Sequence, residues 1–337
     1  ILVFQKAYIC IKFNLFVLKY LKSTQLSAFL LLGIIYLILK LPLLIHLEQE
    51  PIIIQSFSAV SPYIFLENTF WSFIIAQIII IVQAIWINFL FSESTFVRAK
   101  TIIPAYLFII LNATIISYNY LNIYHLIFTI LLGLYQIFLK ISFKEQAKSD
   151  IFNVGVLFGF LIILFPNSIL LTPILMLITY FLKPLKLIEI FLVLIGILCI
   201  PYFYFSIMYL MEIKLVLPFD FYFYLPTIFN GDTPTQIILL LIAIGSIISI
   251  WGMFGIKQST ENRVKQNVDM LYLLSIGLLL VIIFSTYYFP DTTLLIFLPS
   301  TLFLSIFLHR IKKQRITEIF NLFLLISIIT YTFHKYF

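Results

Sequence analysis

Charge is what this sequence has least of. Lysine, arginine, aspartate and glutamate make up 10% of its 337 residues, where a soluble chain carries about a quarter. A soluble domain must solvate its exterior. So little charge beside 63% apolar residues and a mean hydropathy of +1.13 excludes an ordinary water-soluble globule. Cysteine is nearly absent: Cys10 stands in a basic leading segment and Cys199 in an apolar run, which supports neither a disulfide framework nor a metal site. No Gly-rich phosphate loop occurs, so nucleotide hydrolysis is excluded as a drive within this chain. No HExxH or cysteine cluster offers three or four converging ligands, and no metal or cofactor is expected.

What fills the chain instead is Ile, Leu, Phe and Tyr in runs long enough to cross about 30 Å of hydrocarbon. Outer-membrane strands alternate apolar and polar residues, whereas FIIAQIIIIVQAIWINFLF is apolar on every face. The expected fold is therefore all-α, a polytopic transmembrane helical bundle. Apolar runs read against their polar breaks give about eleven spans (10 to 12): 26–47, 67–92, 101–117, 119–140, 151–165, 168–182, 186–210, 234–256, 269–288, 292–308 and 316–334. The fifth and sixth are short enough to form one hairpin that crosses only in part. Residues 1–25, interrupted by Lys6, Lys12, Lys19 and Lys22 and followed by no small-residue cleavage site, read as a basic cytoplasmic or interfacial segment. Residues 26–334 read as a single transmembrane domain.

Charge placement tests this threading independently, because lysine and arginine favour cytoplasmic loops. With the N-terminus cytoplasmic, every one of the 21 basic residues falls on inner segments except Lys40, Lys214 and Lys335. Glu48, Glu50, Glu67, Glu212, Asp220, Asp232 and Asp291 fall outside. The net charge of +7 is thus a topology signal, and no nucleic-acid partner is expected.

Three outer breaks, Phe165-Pro166-Asn167-Ser168, Asn230-Gly231-Asp232-Thr233-Pro234 and Phe289-Pro290-Asp291-Thr292, pair a helix breaker with a short polar side chain. They predict caps in which that side chain accepts from the free amides of the next helix. The two FP turns lie 289 − 165 = 124 residues apart in hairpins of the same expected orientation, which suggests an internal repeat or convergent turn chemistry. Gly155 and Gly159, four apart beside Asn153, form a small-residue face that predicts close helix contact. Glu189, following Lys183 and Lys186, predicts a surface pairing.

Polar residues inside the spans are the functional candidates. Lys40, followed by Pro42, stands out because a cation in hydrocarbon is a functional hypothesis by default. The plainer account is that it snorkels or contacts neighbouring polar groups. Asn112 and His125 are further candidates for a pathway, while Gln77, Gln83, Asn88 and Gln136 are expected to hydrogen-bond between helices. Behind the first span, His46, Glu48 and Glu50 emerge together. The two carboxylates are the candidate catalytic pair, since one could take a proton from an acceptor hydroxyl. Equally, they mark where the chain reaches water.

FNVGVLFGFLIILFPNSILL, then KPLKLIEIFLVLIGILCIPYFY, resembles an uncharacterised family of multi-pass inner-membrane proteins from Bacteroidota. The shared features fall at Phe152, Asn153, Gly155, Pro166, Glu189, Gly196 and Pro201, and LLIFLPSTLFLSIFL, with Pro299 and Ser300, extends the likeness over about 150–310. A basic residue beside the Glu is usual there, whereas this chain has Leu187 and Ile188. The resemblance implies a bacterial inner membrane and no particular activity.

Three readings stand open at this point. The chain is an enzyme acting on a lipid-linked saccharide, with Glu48 and Glu50 as acid–base pair and a polyprenyl-phosphate lipid as partner. It is a transporter or channel, with a path through Lys40, Asn112 and His125 and the broken fifth and sixth spans. Or it is a scaffold for other membrane proteins, with Phe152 to Gly159 as the interface. The bilayer is a partner in all three.

Overall fold

The computed structural model describes residues 26–45, 69–94, 96, 101–113, 119–142, 147–183, 186–212, 262–284, 293–310, 325–326 and 328–330. Every regular element among them is helical. In chain order these are α1 (Leu26–Ile45), α2 (Thr69–Glu93), α3 (Ile103–Asn112), α4 (Ile123–Ile141), α5 (Lys148–Leu164), a 3₁₀ turn (Pro166–Leu171), α6 (Thr172–Leu182), α7 (Leu187–Leu210), α8 (Asn262–Ile283), a second 3₁₀ turn (Thr293–Ile296) and α9 (Phe297–Arg310). Four of the described helices, Phe70–Glu93, Ile123–Ile141, Leu187–Leu210 and Val264–Ile283, are long and apolar enough to cross a membrane. A helix is the form such sequences take in hydrocarbon, because it satisfies its backbone amides and carbonyls within one segment.

The expected spans at 26–47, 67–92 and 186–210 coincide with helices to within a few residues. The third is shorter than its apolar run: α3 has ten residues, carries Pro104 in its first turn, and is buried along its whole length. It is the central element, with α1, α2 and α9 packed around it. The ninth helix-forming run starts earlier than hydropathy suggests, at Asn262, because its polar first turns are helical too. The expected span at 234–256 and most of that at 316–334 lie outside the described residues, as do residues 1–25.

Two long helices make the closest contact. A Cβ placed on Gly155 would stand 2.4 Å from the Val193 carbonyl oxygen, and one on Gly196 would stand 2.6 Å from that of Phe152. Gly159 continues the seam against Ile197. The backbones of α5 and α7 therefore touch directly, and the small-residue face is an intramolecular joint. The small-residue face within Phe152 to Gly159 is therefore occupied by α7 of the same chain. The other faces of α7 are bare: Leu187, Phe191, Leu198 and Tyr202 are exposed. Apolar surface of this extent is what a bilayer covers.

Two polar details depart from expectation. Glu189 is buried, not superficial. Its Oε1 accepts from the Lys183 ammonium at 2.7 Å, and its Oε2 from the Lys186 amide at 3.0 Å, which fixes the first turn of α7. At the Phe165-Pro166-Asn167-Ser168 break, no side chain caps the next helix. Proline starts a 3₁₀ turn there, and Asn167 donates to the Phe284 carbonyl at the end of α8. The side-chain cap appears elsewhere, at Asn122, whose Oδ1 accepts from the Tyr124 amide at 2.6 Å. Asp232 and Asp291 lie outside the described residues.

Candidate functional site

The candidate site forms where α1 and α2 meet the link that enters α4. Lys40 sits on α1 one turn after Tyr36, two residues before Pro42, and is only 3% exposed. Its ammonium donates to Oδ1 of Asn119 and lies 5.8 Å from the centroid of the Tyr36 ring. Among the described residues no carboxylate is bonded to it. The Tyr36 hydroxyl donates in turn to the Gln77 side-chain oxygen on α2. Gln77 Nε2 then donates to the backbone oxygen of Asn119 at 2.8 Å, closing a ring of Lys40, Tyr36, Gln77 and Asn119.

Further bonds hold the link in place. Ser72 Oγ accepts from the Leu121 amide at 3.0 Å. His125 Nε2 is 3.1 Å from the Tyr120 carbonyl oxygen. Gln83 donates to the His125 carbonyl oxygen and to the Thr129 hydroxyl, each at 2.9 Å. Buried amides in an apolar surround are costly when unpaired, and here Gln77 and Ser72 of α2 satisfy backbone of the 119–122 segment, while Gln83 ties α2 to the first turns of α4. Gln77 and Gln83 are thus interhelical, as their sequence context predicts. His125 is a strut of this link, reached through the Tyr120 carbonyl.

Below this ring runs a groove. A cavity of about 520 Å³ lies between α1, α2 and α3. Its α1 wall is Leu32, Gly33 and Tyr36, and the same helical stripe continues to Lys40. Its α2 wall includes Ile81, Ala84 and Asn88, and that stripe continues the other way to Gln77. Its α3 wall, Ala105 and Ile109, continues to Asn112. Lys40, Gln77 and Asn112 thus follow the lining residues along their own helices, while Asn88, Ser92 and Thr101 are the polar side chains that line the groove itself. Asn112 donates to the Phe108 carbonyl of its own helix at 2.9 Å. Its Oδ1 is buried and accepts no hydrogen bond from the described residues, and the same is true of Asn88 Oδ1 in the groove itself.

The sequence reading named Lys40, Asn112, Gln77 and His125, and the structure gathers Lys40, Gln77 and the link before His125 into one network. It places Asn112 on α3 one turn beyond the groove-lining Ile109. His46, Glu48 and Glu50 lie outside the described residues. Asn119 and Tyr36 were missed. Tyr36 carries a signal in retrospect, its spacing of four from Lys40 on one helix face, whereas Asn119 looks like any polar residue between two apolar runs. No group of three or more metal-ligating side chains occurs among the described residues.

Comparison with protein-family models, curated proteins and solved structures finds no match. What the site does must therefore come from its own geometry.

Proposed function

We propose that this chain is a multi-pass protein of the bacterial inner membrane that binds and carries an anionic substrate at Lys40. One observation carries the reading: a lysine buried inside an apolar helix, with a neutral amide as its hydrogen-bond acceptor and no anion bonded to it among the described residues. Taking an ammonium out of water costs several kcal/mol in protein surroundings, and a close partner of opposite charge offsets it. Asn119 and the Tyr36 ring supply a fraction of that stabilisation through a hydrogen bond and a cation–π contact. A bound anion completes it.

The proposal includes about eleven spans and a cytoplasmic N-terminus, and two long-range contacts support that threading. Asn267 donates to the Ser94 carbonyl at 2.9 Å, joining two segments assigned to the inner side. Asn167 donates to the Phe284 carbonyl, joining two assigned to the outer side. The inner-membrane address follows from the resemblance to the Bacteroidota family. The saccharide-enzyme reading depends on Glu48 and Glu50, for which the described residues offer no geometry.

The test uses the full chain purified in detergent and then in proteoliposomes. Inorganic phosphate, a phosphate monoester and short carboxylates are screened for thermal stabilisation, and those that bind are followed by flux. A ligand at a hundredfold excess over its Kd stabilises by about 2.7 kcal/mol, and Lys40→Gln is expected to remove that stabilisation and the flux at unchanged abundance. Identical stabilisation and flux in wild type and Lys40→Gln would falsify the reading.

A further inference from the structure

The chemical class of the anion follows from the groove beside the charge. We propose that the occupant is an anionic lipid of the bilayer, with one hydrocarbon chain in the groove between α1, α2 and α3 and its phosphate at Lys40. This rests on the reading of Lys40 as an anion site and narrows it to a substrate class.

A small hydrated ion needs no largely apolar trough beside its site, yet one is present. The cavity, about 520 Å³, falls within the range of ligand pockets, roughly 300–1,000 Å³. Leu32, Ile81, Ala84 and Ile109 give it an apolar length. Lys40 stands one helical turn beyond Tyr36 at one end of this length, while Asn88, Ser92 and Thr101 line the groove toward its other end. Tyr36 joins the charge to the groove, because it lines the groove while its ring faces the Lys40 ammonium.

Access is from the side. Ile81, Ile85 and Phe89 line the groove and are also exposed, and their neighbours Ile78 and Val82 belong to the same bare face of α2. A lipid chain already in the bilayer reaches the groove without crossing water. The packing leaves room at the wall: a Cβ added to Gly33 meets no atom within 4 Å. That space contrasts with Gly155 and Gly196, where a methyl group would collide with backbone. Charge complementarity supplies the last element, since among the described residues the strongly buried cation of this region stands beside the groove-lining Tyr36 and has no anionic partner.

The test places the full chain in phosphatidylcholine nanodiscs containing a phosphatidic acid with a diazirine near the end of one acyl chain. After irradiation, labelled peptides are mapped. Labelling is expected to concentrate on the α1, α2 and α3 walls over the exposed face of α7. Gly33→Phe, which fills the groove, and Lys40→Gln, which removes the charge, should each reduce it about tenfold, the equivalent of one charged hydrogen bond. Ala84→Leu fills the same groove from α2 and serves if Gly33→Phe does not fold. Labelling spread evenly over α7 and the groove, or unchanged by both filling variants, overturns the proposal. So does a cross-link from the groove to a second copy of the chain. Stabilisation by inorganic phosphate that still depends on Lys40 would then show that the anion site stands while the lipid assignment falls. Loss of that dependence as well removes the underlying reading.

Discussion

The contact between α5 and α7 and the gap between α1, α2 and α3 solve opposite problems with the same apolar alphabet. At the first, three glycines bring two backbones together so closely that Gly155 has no room for a methyl group beside the Val193 carbonyl. At the second, Gly33 faces open space and the helices are bridged by side chains, Tyr36 to Gln77 and Lys40 to Asn119. In a bilayer, where no hydrophobic force pulls helices together, dense packing and interhelical hydrogen bonds are the available adhesives. One region uses the former and leaves nothing to bind. The other uses the latter and leaves a cavity next to a buried charge, which is where a ligand can act.

The sharpest way to break that comparison is to add a methyl group on each side. Gly155→Ala or Gly196→Ala forces α5 and α7 apart and is expected to cost about 3 kcal/mol or more, read as lost folded protein and a lower melting temperature in detergent. A normal melt for either variant would mean that the joint is not as close as the backbone oxygens indicate. Glu189→Gln comes next. It removes the ion pair with Lys183 at the start of α7 and should cost about 1.5 to 3 kcal/mol, the range for hydrogen bonds to charged groups. Its melting temperature should fall below wild type without any change in ligand response.

Lys40→Met has a smaller expected effect on the fold. It deletes a costly buried charge and leaves only the Asn119 Oδ1 unbonded, so stability should shift by about 1 kcal/mol in either direction. The loss appears instead in anion binding, measured by thermal shift. Smallest of all is Gly33→Ala. The new Cβ meets nothing within 4 Å, and alanine favours the helix by up to about 1 kcal/mol, so the melt should be unchanged or slightly higher. If Gly33→Ala were as damaging as Gly155→Ala, the contrast between the two regions would disappear.

How far these regions are legible in sequence differs in the same way. The glycine joint could be anticipated because Gly155 and Gly159 share a face on one helix. Its partner, Gly196, lies on a helix whose docking depends on tertiary contacts. Lys40 is conspicuous in an apolar run, yet nothing in the run says that Asn119, far along the chain, will hold it. The cap expected at Asn167 failed because the chain turns there as a 3₁₀ helix behind Pro166, and the asparagine reaches α8 instead. Glu189 was expected at the surface, but it is buried, with its carboxylate accepting from the Lys183 ammonium and the Lys186 amide.

The sequence by itself determined that the chain is helical and largely apolar on every face, because scarce charge and long apolar runs leave backbone pairing within each helix as the favourable solution. It also singled out a lysine in hydrocarbon. Only the tertiary structure decided that the lysine would face Tyr36 and Asn119, that Gln77 would close the ring, and that a groove would open beside Tyr36. The physical reason is that helix formation follows local periodicity, whereas a cavity exists only where three separate helices fail to fill the space between them.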